Sequence, residues 1–262
     1  MQNWLGYSDP AMKEAFYETT ILRQFVGLSL ERFPDETTIL NFRRLLEKHE
    51  LAAGILGAIN GYLGERGLWL RQGTIVDATL IKAPSSTKNK DGKLDPAMHQ
   101  TKKGNQCYFG MKAYIGVHDE SGLVHVVVGT AANVADITQV DKLLHGEERV
   151  VSADARYTGV VKLSEHQRRQ AIWQIVTRRS SYNQLSKRSA LYKANRRMEK
   201  AKAQVRAKVE HPFRVIKRQF GYEKVCFRGL TKNTAQLVIL FALSNLWMAR
   251  RQLLASPGEV RQ

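Results

Sequence analysis

Two aspartates and a glutamate stand in contexts that suit a metal site. Asp77 lies inside the apolar run Thr74-Ile75-Val76-Asp77-Ala78-Thr79-Leu80-Ile81, Asp154 ends the run Arg149-Val150-Val151-Ser152-Ala153-Asp154, and Glu210 lies in the most basic stretch of the chain. A carboxylate in a β-like run loses hydration unless a cation or hydrogen bonds offset the loss. Hard oxygen donors suit Mg²⁺, which takes a few carboxylates and leaves room for water and phosphate oxygens. Two such ions could activate a water or a 3′-hydroxyl and stabilise the departing oxygen of an in-line displacement. The seven histidines show no metal-like spacing. Asp136 is the main competing acid, with the expected task of capping a helix that starts near Ile137. Glu210 also has a plainer reading, as a surface glutamate paired with Arg206 or Arg214.

The surroundings of Glu210 are cationic. At 100° per residue, Arg206, Glu210, Arg214 and Lys217 fall within about 80° of one another on a helix. Val205, Val209, Phe213, Ile216 and Phe220 form an adjoining apolar stripe. Pro212 should kink or break the helix just after Glu210. Between Lys187 and Arg218 there are twelve Lys or Arg and only two acids, with Tyr182, Tyr192, Phe213 and Phe220 interspersed. A solvated helical face would mix signs more evenly, so the imbalance points to phosphate contacts.

Charge over the whole chain agrees. In 262 residues, 41 Lys and Arg oppose 24 Asp and Glu, a net charge of +17. Such an excess usually answers to a polyanion, nucleic acid first and a membrane surface second. With 43% hydrophobic residues the chain can bury a core. Cys107 and Cys226, far apart and without C-x-x-C spacing, read as free thiols of a reducing cytoplasm. Met1-Gln2-Asn3-Trp4-Leu5-Gly6 has neither a basic start nor a long apolar run, so no secretory leader is expected here. The longest apolar segment, Ala235 to Met248, is interrupted by Asn245 and too short to span a bilayer, so it reads as a buried core helix.

The elements that must position the acids follow from periodicity. Residues 8 to about 66 read as helices, opened at Ser8-Asp9-Pro10 and Pro34-Asp35-Glu36-Thr37, with a further helix from Leu51 to Leu63. This unit, with Arg43 and Arg44, is either a DNA contact or a scaffold. Strands are expected over Thr74–Ile81, Tyr108–Val117, Leu123–Thr130, Arg149–Ala153 and Ala171–Thr177. Helices are expected over Ile137–Leu144, Val160–Arg169, Ser189–Phe220 and Thr234–Leu253. The segment from Ala83 to Gln106, with Lys82, Lys88, Lys90, Lys93, Lys102 and Lys103 in or beside it, reads as a long loop that engages a nucleic-acid backbone or is simply solvated. These elements predict an α/β fold with a mixed sheet and helices on its faces.

Several blocks resemble one family. Thr74 to Thr79, Pro84-Ser85-Ser86-Thr87-Lys88-Asn89-Lys90, His99 to Gln106, Ser152-Ala153-Asp154-Ala155 and Val209 to Gly221 are similar to the core of bacterial DDE transposases of the insertion-sequence "five" group. The resemblance implies a ribonuclease H-like catalytic core over residues 68–255, preceded by a helical region (1–67) and followed by a short tail (256–262). It implies cut-and-paste transposition with Mg²⁺ or Mn²⁺, on terminal inverted repeats and target DNA, by a homodimer in the bacterial cytoplasm, associated with the nucleoid and not with a membrane. It places the metal-binding triad on Asp77, Asp154 and Glu210. Arg206, four residues before the glutamate, and Lys217, seven after it, would hold terminal phosphates. Arg214, Arg218, Lys102, Lys103 and Lys88 are further candidate DNA contacts.

Some positions depart from the family pattern. The family tends to have a longer helical segment before this chain's start, Trp at Cys107, Asp at His118 and Gly at Arg156. A side chain at 156 should clash beside the metal ligand or force its turn out of a glycine-only conformation. A truncated, catalytically defective remnant that only binds DNA is therefore the alternative to an active transposase. A ribonuclease H-like nuclease that cuts without joining is a third reading.

Overall fold

The computed structural model describes residues 1–29, 32–68, 73–88, 90, 92–167, 169–178 and 184–255. Tyr182, Asn89, Arg168 and the tail 256–262 lie outside them. Among the described residues, six strands form one sheet: β1 (Gly73–Lys82), β2 (His99–Lys103), β3 (Gln106–His118), β4 (Val124–Ala131), β5 (Val150–Ala153) and β6 (Ile172–Ile175). The order is β2-β3-β1-β5-β6, with β4 also paired to β3. β3 lies antiparallel to both β1 and β4, while β5 joins the other edge of β1 in parallel and β6 continues in parallel. Three antiparallel strands followed by two parallel ones, with β1 central, is the ribonuclease H-like arrangement that the resemblance implied.

β1 is central because its side chains can be buried on both faces, as a β-branched run requires. Alternation along the strand sends neighbours to opposite cores. Ile75 packs with Ile115, Val209, Phe213, Ile216, Leu237 and Phe241. Val76 packs with Tyr114, Val140, Leu143, Ala153 and Tyr157. The first core lies under the C-terminal helices, the second under 3₁₀ turns. At Gly110, β3 passes so close to β1 that a Cβ would stand 2.1 Å from the Ile81 carbonyl oxygen.

Among the described residues five helices precede the sheet: α1 (Gln2–Leu5), α2 (Asp9–Glu18), α3 (Thr20–Val26), α4 (Glu36–Lys48) and α5 (Leu51–Glu65). Ser8 and Asp35 cap α2 and α4 by accepting from the backbone N–H groups of Ala11 and Thr38, the role their sequence context predicted. Arg43 does not project outward for DNA. Its guanidinium binds Asp9 at 2.7 Å and lies over the Phe227 ring, fastening α4 to α2 and to the C-terminal region.

After the sheet come α6 (Ala190–Arg206), α7 (Glu210–Arg214) and α8 (Leu230–Ala255). α8 is longer than the segment read from sequence, and by length and composition alone it could cross a membrane. It packs Val238 and Ala242 against Ala52 and Leu56 of α5. Asn245, the polar interruption, is wholly buried. Its Oδ1 accepts from the Val124 N–H at 2.8 Å, and its Nδ2 donates to the Val124 carbonyl at 2.7 Å and to Asn60 Oδ1 at 2.8 Å. The amide thus clasps the start of β4 in place of a missing strand.

Four expectations need correction. The segment from Ala83 to Gln106 is not all loop, because His99–Lys103 pairs with β3 as β2. Asp136–Leu143 is a 3₁₀ helix, which suits a run holding β-branched Ile137, Thr138 and Val140. The expected helix Val160–Arg169 shrinks to one 3₁₀ turn, Val160–Lys162, entered through left-handed Gly159. No break follows Glu210. The winding tightens before it, at 207–209, and widens after it into a π turn at Val215–Gln219. Pro212 therefore falls in the first turn of α7, where its missing N–H forfeits no helical bond.

Candidate active site

The two aspartates meet through strand register. Ile75 pairs with Ser152 and Val76 with Ala153 across the parallel β1–β5 ladder, so one further step sets Asp77 beside Asp154. Adjacent strands lie about 4.8 Å apart, close enough for one ion to reach both carboxylates. Asp77 shares the strand face of Ile75, the face covered by the α6–α7 segment. Its Oδ1 accepts the Ala78 N–H at 2.7 Å, and its Oδ2 lies 3.0 Å from Arg206 Nη1. Burial pushes the Asp77 carboxyl up to about 6, the Ala78 bond opposes this, and the charge of Asp154 raises it further. Arg206 lowers it and Glu210 raises it to a smaller degree.

Asp154 leaves β5 and turns its Oδ1 back to the backbone N–H of Arg156 at 2.8 Å. That bond opens a 3₁₀ turn over Ala155–Tyr157. Arg156 sits in this turn without left-handed backbone, so the turn does not need a glycine there. Its side chain, half exposed, spans two acids: Nε is 3.4 Å from Asp154 Oδ2 and Nη1 is 3.5 Å from Asp136 Oδ2. Asp136 does not cap the following helix, for Ala135 occupies the cap and no side chain bonds there. Instead its Oδ1 accepts from Lys112 Nζ at 2.7 Å and from the Tyr114 hydroxyl at 3.0 Å.

Glu210 stands at the rim. Its side chain is 60% exposed, and Arg206 Nη1 lies 3.8 Å away. Lys217 is directed inward, donating to Thr79 Oγ1 at 2.7 Å and to the Leu80 carbonyl at 3.1 Å. Desolvation holds its pKa below the usual lysine value, and Lys103 adds to the effect. Next to the acids is a cavity of about 380 Å³ lined by residues that include Thr79, Lys102, Lys103, Lys112, Asp136 and Arg156. The β2–β3 hairpin thus brings two of the predicted cationic contacts to the acid site.

The other predicted contacts lie elsewhere. Lys88 borders a separate hollow with Pro84, Lys93 and Arg228. Arg214 and Arg218 line an open groove with Arg250 and Arg251 of α8. So the face that a helical wheel assigned to Arg206, Arg214 and Lys217 is divided, because winding changes on both sides of Glu210 rotate it.

Do these residues fit a divalent ion? Asp77 and Asp154 offer hard oxygens in register, and each already faces a guanidinium where a cation could stand. That donor chemistry fits Mg²⁺ or Mn²⁺. Among the described residues, no group of three or more His, Cys, Asp or Glu is gathered closely enough to form a closed metal cage. The two aspartates are thus the inner pair, with Glu210 outside it.

Sequence reading missed two groupings. Asp136, Lys112, Tyr114 and Arg156 come from three separate places in the chain, with Lys112 and Tyr114 both on β3, and the only sequence signal was the polar spacing around Asp136. At the other end of β1, His118, His125 and His145 cluster with ring centroids 5.1, 5.3 and 6.2 Å apart. Burial, then the neighbouring imidazoles, pushes His125 down to about 3.

Comparison with known proteins agrees with this geometry. Residues 68–246 match the family described as "Transposase DDE domain", and residues 1–45 match "Transposase domain (DUF772)". A solved chain from the "Crystal structure of the Mos1 Strand Transfer Complex" is similar at 10% identity over 85% of this chain and 79% of that chain, with a TM-score of 0.22. That likeness is too distant to carry an argument. The family match spans more than half of the chain and all of β1 to β6, with Asp77, Asp154 and Glu210 inside it. The chain belongs to the transposase DDE domain family.

Proposed function

We propose that this chain cuts an insertion sequence of the "five" group at its terminal inverted repeats and joins the freed 3′-hydroxyl to target DNA. The observation that carries the reading is the parallel register that sets Asp77 beside Asp154, with Arg206 and Glu210 arriving from the helix above. Asp77 and Asp154 would hold Mg²⁺ or Mn²⁺, and Glu210 would close the site once DNA is seated. The ion supplies Lewis-acid stabilisation of the reacting phosphate. The rest is the chain's own work. Lys217, anchored on β1, and Lys102 and Lys103, on the adjoining hairpin, bind backbone phosphates. Arg206 counters the buried charge of Asp77. Arg214, Arg218 and Lys88 lie farther out, where they would hold flanking DNA. Two copies acting on paired ends, in the bacterial cytoplasm at the nucleoid, complete the reading, with residues 1–67 as a helical region and 68–255 as the catalytic domain.

The exposed position of Glu210 favours one second reading, a DNA-binding remnant without catalysis. A cleavage and joining assay with Mg²⁺ on terminal-repeat DNA separates the two. Joined product that is lost in Asp77→Asn, Asp154→Asn and Glu210→Gln, with DNA binding kept, supports the transposase. Salt-sensitive binding without any cut strand supports the remnant. Cleavage without joining would instead identify a nuclease.

A further inference from the structure

Arg156 occupies a position between two carboxylates of different kinds. Asp154 gives Oδ1 to one backbone N–H and leaves Oδ2 facing the guanidinium. Asp136 is buried, and its Oδ1 is already saturated by Lys112 and Tyr114. That leaves Asp136 Oδ2 as the one oxygen turned toward the guanidinium, at 3.5 Å, while Asp154 Oδ2 is at 3.4 Å. Neither contact is a close bidentate pair, so the guanidinium is shared and not fixed. Its other side borders the cationic cavity shared with Lys102, Lys103 and Lys112.

We propose that Asp136 is a docking carboxylate that takes the Arg156 guanidinium over from Asp154 when a divalent cation binds, and holds it as a ligand for a DNA phosphate in that cavity. The inference rests on the metal reading given above and adds to it a positioning residue, Asp136, and a phosphate ligand, Arg156. Before the ion arrives, Arg156 neutralises Asp154 and competes with it. Afterwards an arginine left without Asp136 would face the ion directly, and like charges would repel. Asp136 supplies the alternative place. Lys112 cannot take the same part, because its ammonium is held by Asp136 and by the Val134 carbonyl.

The two residues therefore have opposite effects on metal affinity. Removing Arg156 removes a competitor, and Arg156→Ala should bind Mn²⁺ about three- to tenfold more tightly. Removing the docking charge leaves Arg156 on Asp154, and Asp136→Asn should bind Mn²⁺ more weakly by a similar factor. In the double variant the loss should disappear, because the competitor is gone. Arg156→Ala should also lower the slope of log affinity for DNA against log salt by about one.

The experiment titrates the full chain with Mn²⁺, followed by electron paramagnetic resonance, and pairs it with DNA binding across a salt series. Opposite shifts in the single variants and recovery in the double variant are the expected result. Shifts in the same direction overturn the docking role, since a merely structural defect would weaken both. Should Asp136→Asn fail to fold, Arg156→Ala alone decides, by whether it combines tighter Mn²⁺ with a smaller salt slope. A wild-type chain whose Mn²⁺ binding is absent or unaffected by Asp154→Asn overturns the metal reading itself, and this inference with it.

Discussion

Arg206 Nη1 stands 3.0 Å from Asp77 Oδ2, and this contact joins the middle of the sheet to the end of α6. The acid is buried while the Arg206 side chain is partly exposed, so its charge is only partly compensated. The carboxyl pushed up to about 6 from an ordinary 3.8 reports that shortfall, with desolvation as its leading cause.

The sign of the consequence is definite. A folded state that holds a proton more tightly than the unfolded chain gains stability below pH 3.8 and loses that gain as pH rises through about 6. Without metal, Asp77→Asn should therefore be more stable than the wild type at pH 7.5, by on the order of 1–3 kcal/mol, with the difference vanishing near pH 4. The same variant should not cleave DNA. Urea denaturation in the presence of a chelator measures the first, and an equal destabilisation at both pH values would show Asp77 to be a structural acid.

His125 has the opposite sign. Its value is pushed down to about 3 from 6.5 by burial and by His118 and His145, and Thr74 Oγ1 lies 3.3 Å from its Nε2. Its contribution is present above pH 6.5 and is lost as pH falls toward 3, at up to about 1.4 kcal/mol per pH unit. His125→Gln should remove that acid sensitivity between pH 6.5 and 5. Nuclear magnetic resonance of the His125 ring should show it neutral at pH 5. A ring that titrates near 6.5 would mean that the cluster opens to water.

Legibility in the sequence followed the range of the interaction. Asp77 was visible because a charged residue interrupts a β-branched run, and the strands around it followed from alternation. Ser8 and Asp35 were visible because capping is decided within three residues. β2 was not visible, since His99–Lys103 is polar and becomes a strand only by pairing with β3. Arg206, Arg214 and Lys217 were placed on one face by an ideal helix, whereas the 3₁₀ and π turns around Glu210 divide them. Asp136 with Arg156, and the three histidines, depend on tertiary register, which no local pattern contains.

Asn245 links the longest helix to the sheet. Replacing it with Leu should keep the volume but leave the Val124 N–H and Asn60 Oδ1 without their amide partner, while the Val124 carbonyl keeps Asn60 Nδ2 at 3.1 Å. Buried unpaired groups cost about 1–3 kcal/mol each, so Asn245→Leu should lower the melting temperature by on the order of 5–10 °C. Differential scanning calorimetry measures this. An unchanged melting temperature would mean that the backbone at Val124 finds another partner, and that the clasp is not what seats α8 on β4.

Lys217 gives the sharpest separation of position from charge. An ammonium has three donors, and two are used on Thr79 Oγ1 and the Leu80 carbonyl. The third is left for a phosphate beside Asp77. Lys217→Ala should weaken DNA binding to all sequences alike and lower the salt slope by about one. Thr79→Val removes one anchor but keeps the charge, so it should weaken binding less and leave the slope unchanged. Fluorescence anisotropy at several salt concentrations distinguishes the two. If both variants left the slope where the wild type has it, Lys217 would be a tie between the π turn after α7 and β1 and not a phosphate ligand.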